Sequence, residues 1–195
     1  MQDYWKAVLT SPHYAELTYE RPAHFGRIWP GMRVLAPLGN SLRAAVLTGR
    51  ADAAPEGVAM KPLTWPLDRQ PLLDAEYLAL AEALAKRQGV ALGRVLELVL
   101  PARLRTSKLA FSVQEPGFPA LVRPRELLDM PAQRLERLAE AWEQGRMVPH
   151  AEALQESGEM NASLAQDPPW PVRPNARRQM QVLEHLLTRP RVPLS

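Results

Sequence analysis

Residues 4–48 carry the short apolar runs and alternating positions that are typical of β-strands. Residues 15–19 alternate with a period of two and include β-branched and aromatic side chains. Turns are predicted at residues 29–32, where proline occupies the first central position, and at residues 38–41. Strand, turn and strand at this spacing favour a hairpin in a small curled sheet. We therefore predict strands over residues 5–9, 15–19, 33–37 and 43–49, with a last short edge strand over 61–63.

The pattern becomes helical from residue 72. Acidic residues lie near the start of the helical segment, basic residues near its end and Gly89 just beyond it, as the helix dipole and a left-handed cap favour. A second short helix is predicted over residues 92–100, and Pro101 ends it. The resulting unit, in which strands precede two helices, ends near Arg105. The apolar residues that recur at helical spacing in the first helix are Leu73, Tyr77, Leu80 and Leu84.

The second half of the sequence has a less regular pattern. A strand is predicted over residues 108–113, and a helix over 126–144 around Pro131. Residues 148–175 have little pattern, and residues 177–187 predict an amphipathic helix. Because the sequence stops soon after that helix, we expect a truncated chain in which the helix packs on residues 106–145 or on a neighbouring molecule.

Composition and charge limit the possible classes of protein. Cysteine is absent, which excludes disulfides and thiolate metal sites. The apolar runs are far shorter than the roughly 20 residues of a membrane helix, and no signal peptide is evident, so we expect a cytoplasmic protein with no membrane partner. Residues 1–105 hold 13 Lys/Arg and 10 Asp/Glu, which accounts for the whole net charge of +3. This excess indicates an anionic partner only weakly, because a solvated surface has the same composition.

The sequence contains no common catalytic motif. It lacks the GxxxxGK[ST] loop that binds nucleoside triphosphates, the GxSxG nucleophile turn and the HExxH zinc motif. The spacing of its four histidines does not suggest a metal site. We therefore expect this chain to be non-catalytic, with no cofactor and no metal of its own.

Several residues are suited to binding instead. Gly39 lies in a predicted turn, where it could let a ligand approach the backbone or could simply supply a positive φ. Lys61 begins a predicted strand, where it could meet a phosphate or be solvated. The aromatic residues Tyr14, Tyr19 and Trp29 could stack on bases or belong to the core. A basic cluster that could follow a DNA backbone, or solvate a domain edge, consists of Arg103, Arg105 and Lys108.

The order of these pieces resembles the N-terminal region of PriA-type replication-restart helicases. The resemblance begins with Tyr19-x-x-Pro22 and continues through Pro30-Gly31-x-Arg33-Val34-x-Ala36-Pro37-Leu38-Gly39 and Arg43-Ala44-Ala45-Val46-Leu47. It goes on with Met60-Lys61-Pro62-Leu63 and Leu92-Gly93-Arg94-Val95-Leu96, and ends with Leu100-Pro101-x-x-Leu104-Arg105. The match covers about residues 5–105 in consistent order and spacing. No single piece is specific, whereas their succession is.

The resemblance implies a domain that binds the 3′ end of the nascent leading strand at a stalled fork. The pocket for the terminal nucleotide in that family maps to Leu17, Thr18, Gly39 and Lys61. Gly39 and Lys61 agree with the family, while Leu17 replaces an aromatic residue and Thr18 replaces an aspartate. The loss of the carboxylate removes a strong acceptor for the terminal ribose hydroxyl, although Thr18 Oγ1 can still form a neutral hydrogen bond.

The resemblance also predicts the organisation of the chain. We expect an α+β protein in which a small curled, barrel-like sheet with two helices forms a 3′-end DNA-binding domain over residues 5–105. A connecting region with a helix near 132–144 would follow over 106–174, and residues 175–195 would begin a truncated winged-helix domain. The alternative, in which the helix near 132–144 is the first helix of the winged domain, remains open.

The expected partners follow from the same family. They are forked or single-stranded DNA and, through a full-length parent, single-stranded-DNA-binding protein and other primosome proteins. That parent would be an ATP-dependent 3′-to-5′ DNA helicase, with ATP, Mg and zinc in the missing helicase portion. Two other classes compete with this interpretation: an interaction adaptor that binds a peptide along a sheet edge, and an unrecognised enzyme fragment that the missing motifs disfavour.

Overall fold

The described part of the protein is an α+β structure with antiparallel sheets and four α-helices. The computed structural model describes residues 3–10 and 16–150, together with the two-residue strands at 161–162 and 192–193. One compact unit covers Met1–Glu152 and a second covers Ala153–Ser195. The predicted helix over 177–187 and the predicted start of a winged-helix domain at 175–195 lie outside the described residues, except for the strand at 192–193.

The first unit begins with a five-stranded antiparallel sheet. Its strand order is β2-β1-β4-β3-β5, so β1–β2 and β3–β4 are pairs of consecutive strands, whereas β1–β4 and β3–β5 join strands that are not consecutive in the chain. The first four strands lie where the sequence predicted them. The fifth does not: the predicted edge strand at 61–63 forms only an isolated bridge, and the strand follows it. The strands are β1 (Tyr4–Leu9), β2 (Glu16–Glu20), β3 (Arg33–Leu38), β4 (Ser41–Ala51) and β5 (Trp65–Pro66).

The sheet curls but does not close into a barrel by a continuous ladder. Segment 61–66 runs from the free edge of β2 to the free edge of β3. At its start, Glu20 and Pro62 form a parallel bridge, and the Glu20 N–H donates to the Lys61 carbonyl at 3.1 Å. At its end, Pro66 pairs with Val34 in the antiparallel β5–β3 contact. The two edges are therefore linked by one short segment, which fixes the position of Lys61 beside β2.

Alternation along the strands sends neighbouring side chains into different cores. Trp5, Ala7 and Leu9 of β1 pack on the concave face with the loop residues Phe25 and Ile28. The intervening Val8, together with Val46 of β4, packs on the opposite face against the helices. Both faces of the central strands are thus buried along part of their length, which explains the runs of consecutive buried apolar residues at 7–9 of β1, 34–36 of β3 and 44–47 of β4.

Two helices cover part of the outer face, α1 (Ala75–Gln88) and α2 (Leu92–Val99). The Asp74 side chain accepts a hydrogen bond from the Tyr77 N–H and caps α1, and Gly89 ends that helix in the left-handed conformation. The large apolar residues whose spacing predicted α1 do not form its buried face. Tyr77, Leu80 and Leu84 are exposed, whereas the buried residues of α1 are Leu78, Ala81 and Ala85.

Residues 106–150 continue the same unit. They form a three-stranded antiparallel sheet of order β7-β6-β8 and two helices. The single helix predicted over 126–144 is in fact two, because the chain leaves the helical conformation at Asp129 and resumes it after Pro131. The elements are β6 (Ala110–Val113), β7 (Leu121–Val122), α3 (Pro124–Leu128), α4 (Ala132–Glu143) and β8 (Met147–His150).

The two sheets of the first unit share one hydrophobic core. Trp65 of β5 lies 6.3 Å from Phe111 of β6, and Phe111 lies 6.2 Å from Trp142 of α4, both measured between ring centroids. Leu35 and Leu67 join the same cluster. In the second unit, the described residues form one antiparallel pair, β9 (Asn161–Ala162) with β10 (Val192–Pro193).

Candidate nucleic-acid interface

The four residues proposed from sequence for a nucleotide pocket lie together. Leu17 and Thr18 are on the edge strand β2, Gly39 is in the turn between β3 and β4, and Lys61 is on the segment beside β2. All four line a single cavity of about 390 Å³, which we call the first cavity. The edge strand, the hairpin turn and the loop at residues 55–61 form its walls.

Lys61 bridges two walls of the first cavity. Its backbone carbonyl accepts a hydrogen bond from the Glu20 N–H, while its Nζ donates to the Gly39 carbonyl at 3.1 Å. The side chain is exposed, so the ammonium group sits at the rim and retains two further donors. An anion at the mouth of the first cavity could accept from those donors without breaking the bond to Gly39.

Gly39 leaves open space at the turn. Its φ is +57°, a conformation that favours glycine, and no heavy atom among the described residues outside its chain neighbours lies within 4 Å of where a Cβ would be. The glycine therefore satisfies the turn and also leaves the backbone accessible. The positive φ agrees with the structural explanation that the sequence offered, and the open space leaves room for the ligand that the other explanation requires.

The remaining walls of the first cavity are mainly apolar. Leu17 and Leu38 are partly buried and pack against the concave core. Val58, in the opposite loop, is 60% exposed, and Met60 lies beside it in the lining. The first cavity thus offers a cation at its rim and apolar contact inside, a combination suited to a nucleotide with its phosphate outward and its base inward. Along its β2 wall, Leu17 shares the face of Tyr19, whereas Glu16 and Thr18 alternate to the face that carries Lys6, so they line the first cavity at the edge of the strand.

The three aromatic candidates have different environments. Tyr19 is buried in the concave core, where its hydroxyl donates to the Pro37 carbonyl at 3.3 Å and burial raises its pKa. It is a core residue that forms part of the floor of the first cavity and does not offer a free face for stacking. Trp29 is 38% exposed, and Tyr14 lies outside the described residues.

The basic cluster after α2 is separate from the first cavity. Arg103 and Lys108 are exposed, whereas Arg105 is half-buried and pairs with Glu97 at 3.6 Å. Among the described residues that line the first cavity, none comes from segment 103–108. The structure therefore places these three residues near one another in the chain but outside the predicted pocket.

Sequence reasoning missed a second and larger cavity, of about 580 Å³, between the outer face of β1 and β4 and the loop that joins α1 to α2. We call it the second cavity. Lys6 provides its cation, and Glu16 and Glu82 its carboxylates. Arg50 also lines it, but Arg50 is paired opposite Trp5, and its guanidinium lies 5.8 Å from the centroid of that ring on the concave face. Because side chains alternate along β1, Lys6 lies on the opposite face from Trp5 and Ala7. The sequence pattern alone could therefore have predicted that Lys6 points away from the concave core. The cavity itself depends on how the helices pack, which the pattern does not contain.

A third cavity, of about 380 Å³, lies between α4 and the loop that follows β2, and His24 and Glu136 are among its lining residues. His24 stacks on Trp65 at 5.5 Å, and burial lowers its pKa, an effect that the nearby Glu136 carboxylate partly offsets. The described residues contain no group of three potential metal ligands. None of the helices in the described part of the chain has the length and apolar content needed to span a bilayer.

Comparison with known protein families assigns part of the chain. Residues 6–101 match the family model of the PriA 3′DNA-binding domain (3′BD). This segment is a PriA-type 3′DNA-binding domain. The PriA-type domain is a DNA-binding domain of replication restart and is not catalytic. All four lining residues of the first cavity that the sequence singled out lie within it, as do Lys6 and Arg50 of the second cavity. No curated protein sequence matches the chain.

Proposed function

We propose that residues 5–105 bind the 3′ end of a DNA strand and that the terminal nucleotide occupies the first cavity. The observation that carries this proposal is the convergence of Leu17, Thr18, Gly39 and Lys61, from three separate parts of the chain, on one cavity of about 390 Å³. Its volume falls within the usual range for small-molecule sites, about 300–1,000 Å³.

Each residue has a physical role in this arrangement. Lys61 contacts the phosphate of the terminal nucleotide as a point charge, because its ammonium group is exposed at the rim. Gly39 lets the sugar approach the turn, since no side chain occupies that space. Leu17 provides apolar contact for the base in place of aromatic stacking. Thr18 donates or accepts one neutral hydrogen bond at the ribose hydroxyl.

We further propose that the chain acts in replication restart at stalled forks, as part of a longer ATP-dependent helicase. The PriA-type match supports this assignment for residues 6–101. On this proposal, residues 106–174 connect the DNA-binding domain to a winged-helix domain that begins at residues 175–195. Single-stranded-DNA-binding protein and other primosome proteins would contact the longer protein, which acts in the cytoplasm.

The decisive experiment measures binding of a short single strand with a free 3′ end, labelled at its 5′ end, by fluorescence anisotropy. Lys61→Ala should weaken binding about fivefold, the equivalent of about 1 kcal/mol for a solvent-exposed ion pair. Gly39→Trp should abolish measurable binding, because the indole ring would fill the space that the sugar needs. Blocking the 3′ end with a bulky group should have the same effect on the unsubstituted protein.

The control for Gly39→Trp is Gly89→Trp. Gly89 has nearly the same conformation, with φ +63° against +57°, and the space around its Cβ position is equally open, so both variants carry the same backbone strain. Gly89 lies at the end of α1 and not in the first cavity. If Gly89→Trp weakened binding as much as Gly39→Trp did, or if Lys61→Ala bound normally, the proposed site would be wrong.

A further inference from the structure

The basic cluster after α2 carries more positive charge than its surroundings in the chain neutralise. Residues 83–114 contain six Lys/Arg and a single acidic residue, Glu97. That carboxylate already has a close partner, because Arg94 Nη1 lies 2.6 Å from Glu97 Oε2. Arg103 and Lys108 are exposed, and neither side chain has an ion pair with any of the described residues. Positive charge therefore remains at this surface after the internal pairs are formed.

The third cation of the basic cluster, Arg105, is incompletely bonded. Its Nη1 lies 3.6 Å from Glu97 Oε1, which is an ion pair but too long for a hydrogen bond. Its Nε is buried and has no hydrogen-bond partner in the part of the chain that the structure describes. A phosphate beside this guanidinium would accept closer, charge-assisted hydrogen bonds than Glu97 does. Arg105 can therefore contact an anion without giving up a strong internal bond.

The basic cluster and the first cavity are associated with opposite ends of β3. Arg33, the first residue of β3, donates from its Nη1 to the carbonyl of Leu104, which lies within the cluster, at 3.0 Å. Leu38, the last residue of the same strand, lines the first cavity. Five residues of strand span about 17 Å. Phosphates follow one another at about 3.4 Å along one strand of a duplex, so this separation corresponds to about five phosphates.

We propose that the basic cluster, together with Arg94, is a second contact surface for the DNA backbone, which binds phosphates about five or more positions from the terminal nucleotide. The distance rests on the proposed function, since it is counted from a 3′ end in the first cavity. DNA is the anion that fits, because the adjoining segment is a DNA-binding domain and three of the four cations are guanidinium groups, which suit phosphate. Contacts to phosphate alone do not distinguish base sequences.

The test compares a dinucleotide with a single-stranded oligonucleotide of twelve residues, both with free 3′ ends, for the unsubstituted protein and for Arg103→Ala. The dinucleotide is too short to reach the basic cluster from the first cavity. Arg103→Ala should weaken the longer strand about threefold to fivefold and leave the dinucleotide unchanged. It should also lower the slope of log affinity against log salt by about 0.7, the value for one phosphate contact on a single strand. The control is Arg125→Ala, which removes an exposed guanidinium from α3. Equal losses for the two variants would overturn the inference, because they would reflect the overall charge alone.

Glu97 provides a test in the opposite direction. Glu97→Gln releases Arg94 and Arg105 from their carboxylate and should strengthen the longer strand about twofold to threefold, with no change for the dinucleotide. Glu140→Gln makes the same change of charge at an exposed position on α4 and should not alter either affinity. A gain for Glu97→Gln no larger than that for Glu140→Gln would contradict the inference.

Lys61→Ala separates a failure of the first cavity from a failure of the basic cluster, because it should weaken both oligonucleotides. If Lys61→Ala weakens both and Arg103→Ala weakens neither, only the second contact surface is wrong. If Lys61→Ala weakens neither while Arg103→Ala weakens the longer strand, the proposed nucleotide pocket is wrong and the basic cluster still contacts DNA. A decapeptide of glutamate is the last probe. If it binds the unsubstituted protein but not Arg103→Ala, while DNA affinity is the same for both, the cluster belongs to an acidic protein segment and the inference is wrong.

Discussion

Two glycines with positive φ show how a glycine that a ligand can reach differs from one that is enclosed by the fold. Gly31 has φ +85°, and a Cβ there would lie 1.8 Å from the Leu73 carbonyl oxygen. Its own carbonyl accepts hydrogen bonds from the N–H groups of Leu72 and Leu73, so it holds the approach to α1 against the sheet. Gly39 has the same freedom of φ and empty space around it. Sequence shows a turn glycine in both places, and only the tertiary structure shows which one a ligand can reach.

Thr18 carries a prediction at the scale of one residue. We expect Thr18→Asp to increase the preference for a 3′-hydroxyl over a 3′-phosphate terminus. A neutral hydrogen bond is worth about 1 kcal/mol net and one to a charged acceptor about 1.5–3 kcal/mol, and the new carboxylate also repels a terminal phosphate. The measurement is the ratio of the two dissociation constants. The ratio should rise about threefold or more, and Thr18→Asn is the uncharged control. An unchanged ratio for Thr18→Asp would place the sugar elsewhere.

At the scale of elements, α1 shows why its existence was predictable and its orientation was not. The helix was predicted from large apolar residues at helical spacing. Leu73, the first of them, lies before the first residue of α1 and is therefore not part of the helix's own periodic pattern. The helix instead buries two alanines and Leu78. Small side chains let α1 approach α2 and the sheet closely, and a ranking by hydrophobicity overlooks them. The strands were easier to place, because both faces of the central strands are buried and their turns contain glycine or proline.

Leu78 and Leu80 provide a matched test of that orientation. The first is 5% exposed and the second 64% exposed, on the same helix. We expect Leu78→Ala to lower the free energy of unfolding by about 2–5 kcal/mol, because it opens a cavity beside Val8 and Leu96. Leu80→Ala should change it by less than about 0.5 kcal/mol. Urea denaturation followed by circular dichroism measures both. If Leu80→Ala instead lowered the free energy of unfolding more than Leu78→Ala, the face of α1 that carries Tyr77, Leu80 and Leu84 would be the buried one.

At the scale of the whole molecule, residues 106–150 are integrated with the DNA-binding segment. Trp65 and Leu67 complete a core whose other members include Phe111, Leu138 and Trp142. Arg69 adds a polar link, since its Nη2 donates to the Met147 carbonyl at 2.8 Å and its guanidinium lies 4.9 Å from the centroid of the Trp142 ring. The sequence alone predicted a domain boundary near Arg105, because the pattern of apolar and polar residues becomes less regular there. The contacts of Trp65 across that boundary are long-range and leave no local pattern.

The last prediction concerns the stability of the segment on its own. A chain ending at Arg105 keeps every residue matched to the PriA-type domain but exposes Trp65 and its neighbours, whose packing partners lie in residues 109–147. We expect it to be less stable than a chain ending at Glu152 by several kcal/mol, since the loss of the packing around one large aromatic residue alone costs about 3–5 kcal/mol. Urea denaturation of the two chains, followed by Trp fluorescence, measures the difference. A short single strand with a free 3′ end should still bind the shorter chain wherever that chain remains folded, because the residues that line the first cavity lie within 16–61. Equal midpoints would show that residues 106–150 are a separate domain, and loss of binding by a folded shorter chain would show that they form part of the DNA site.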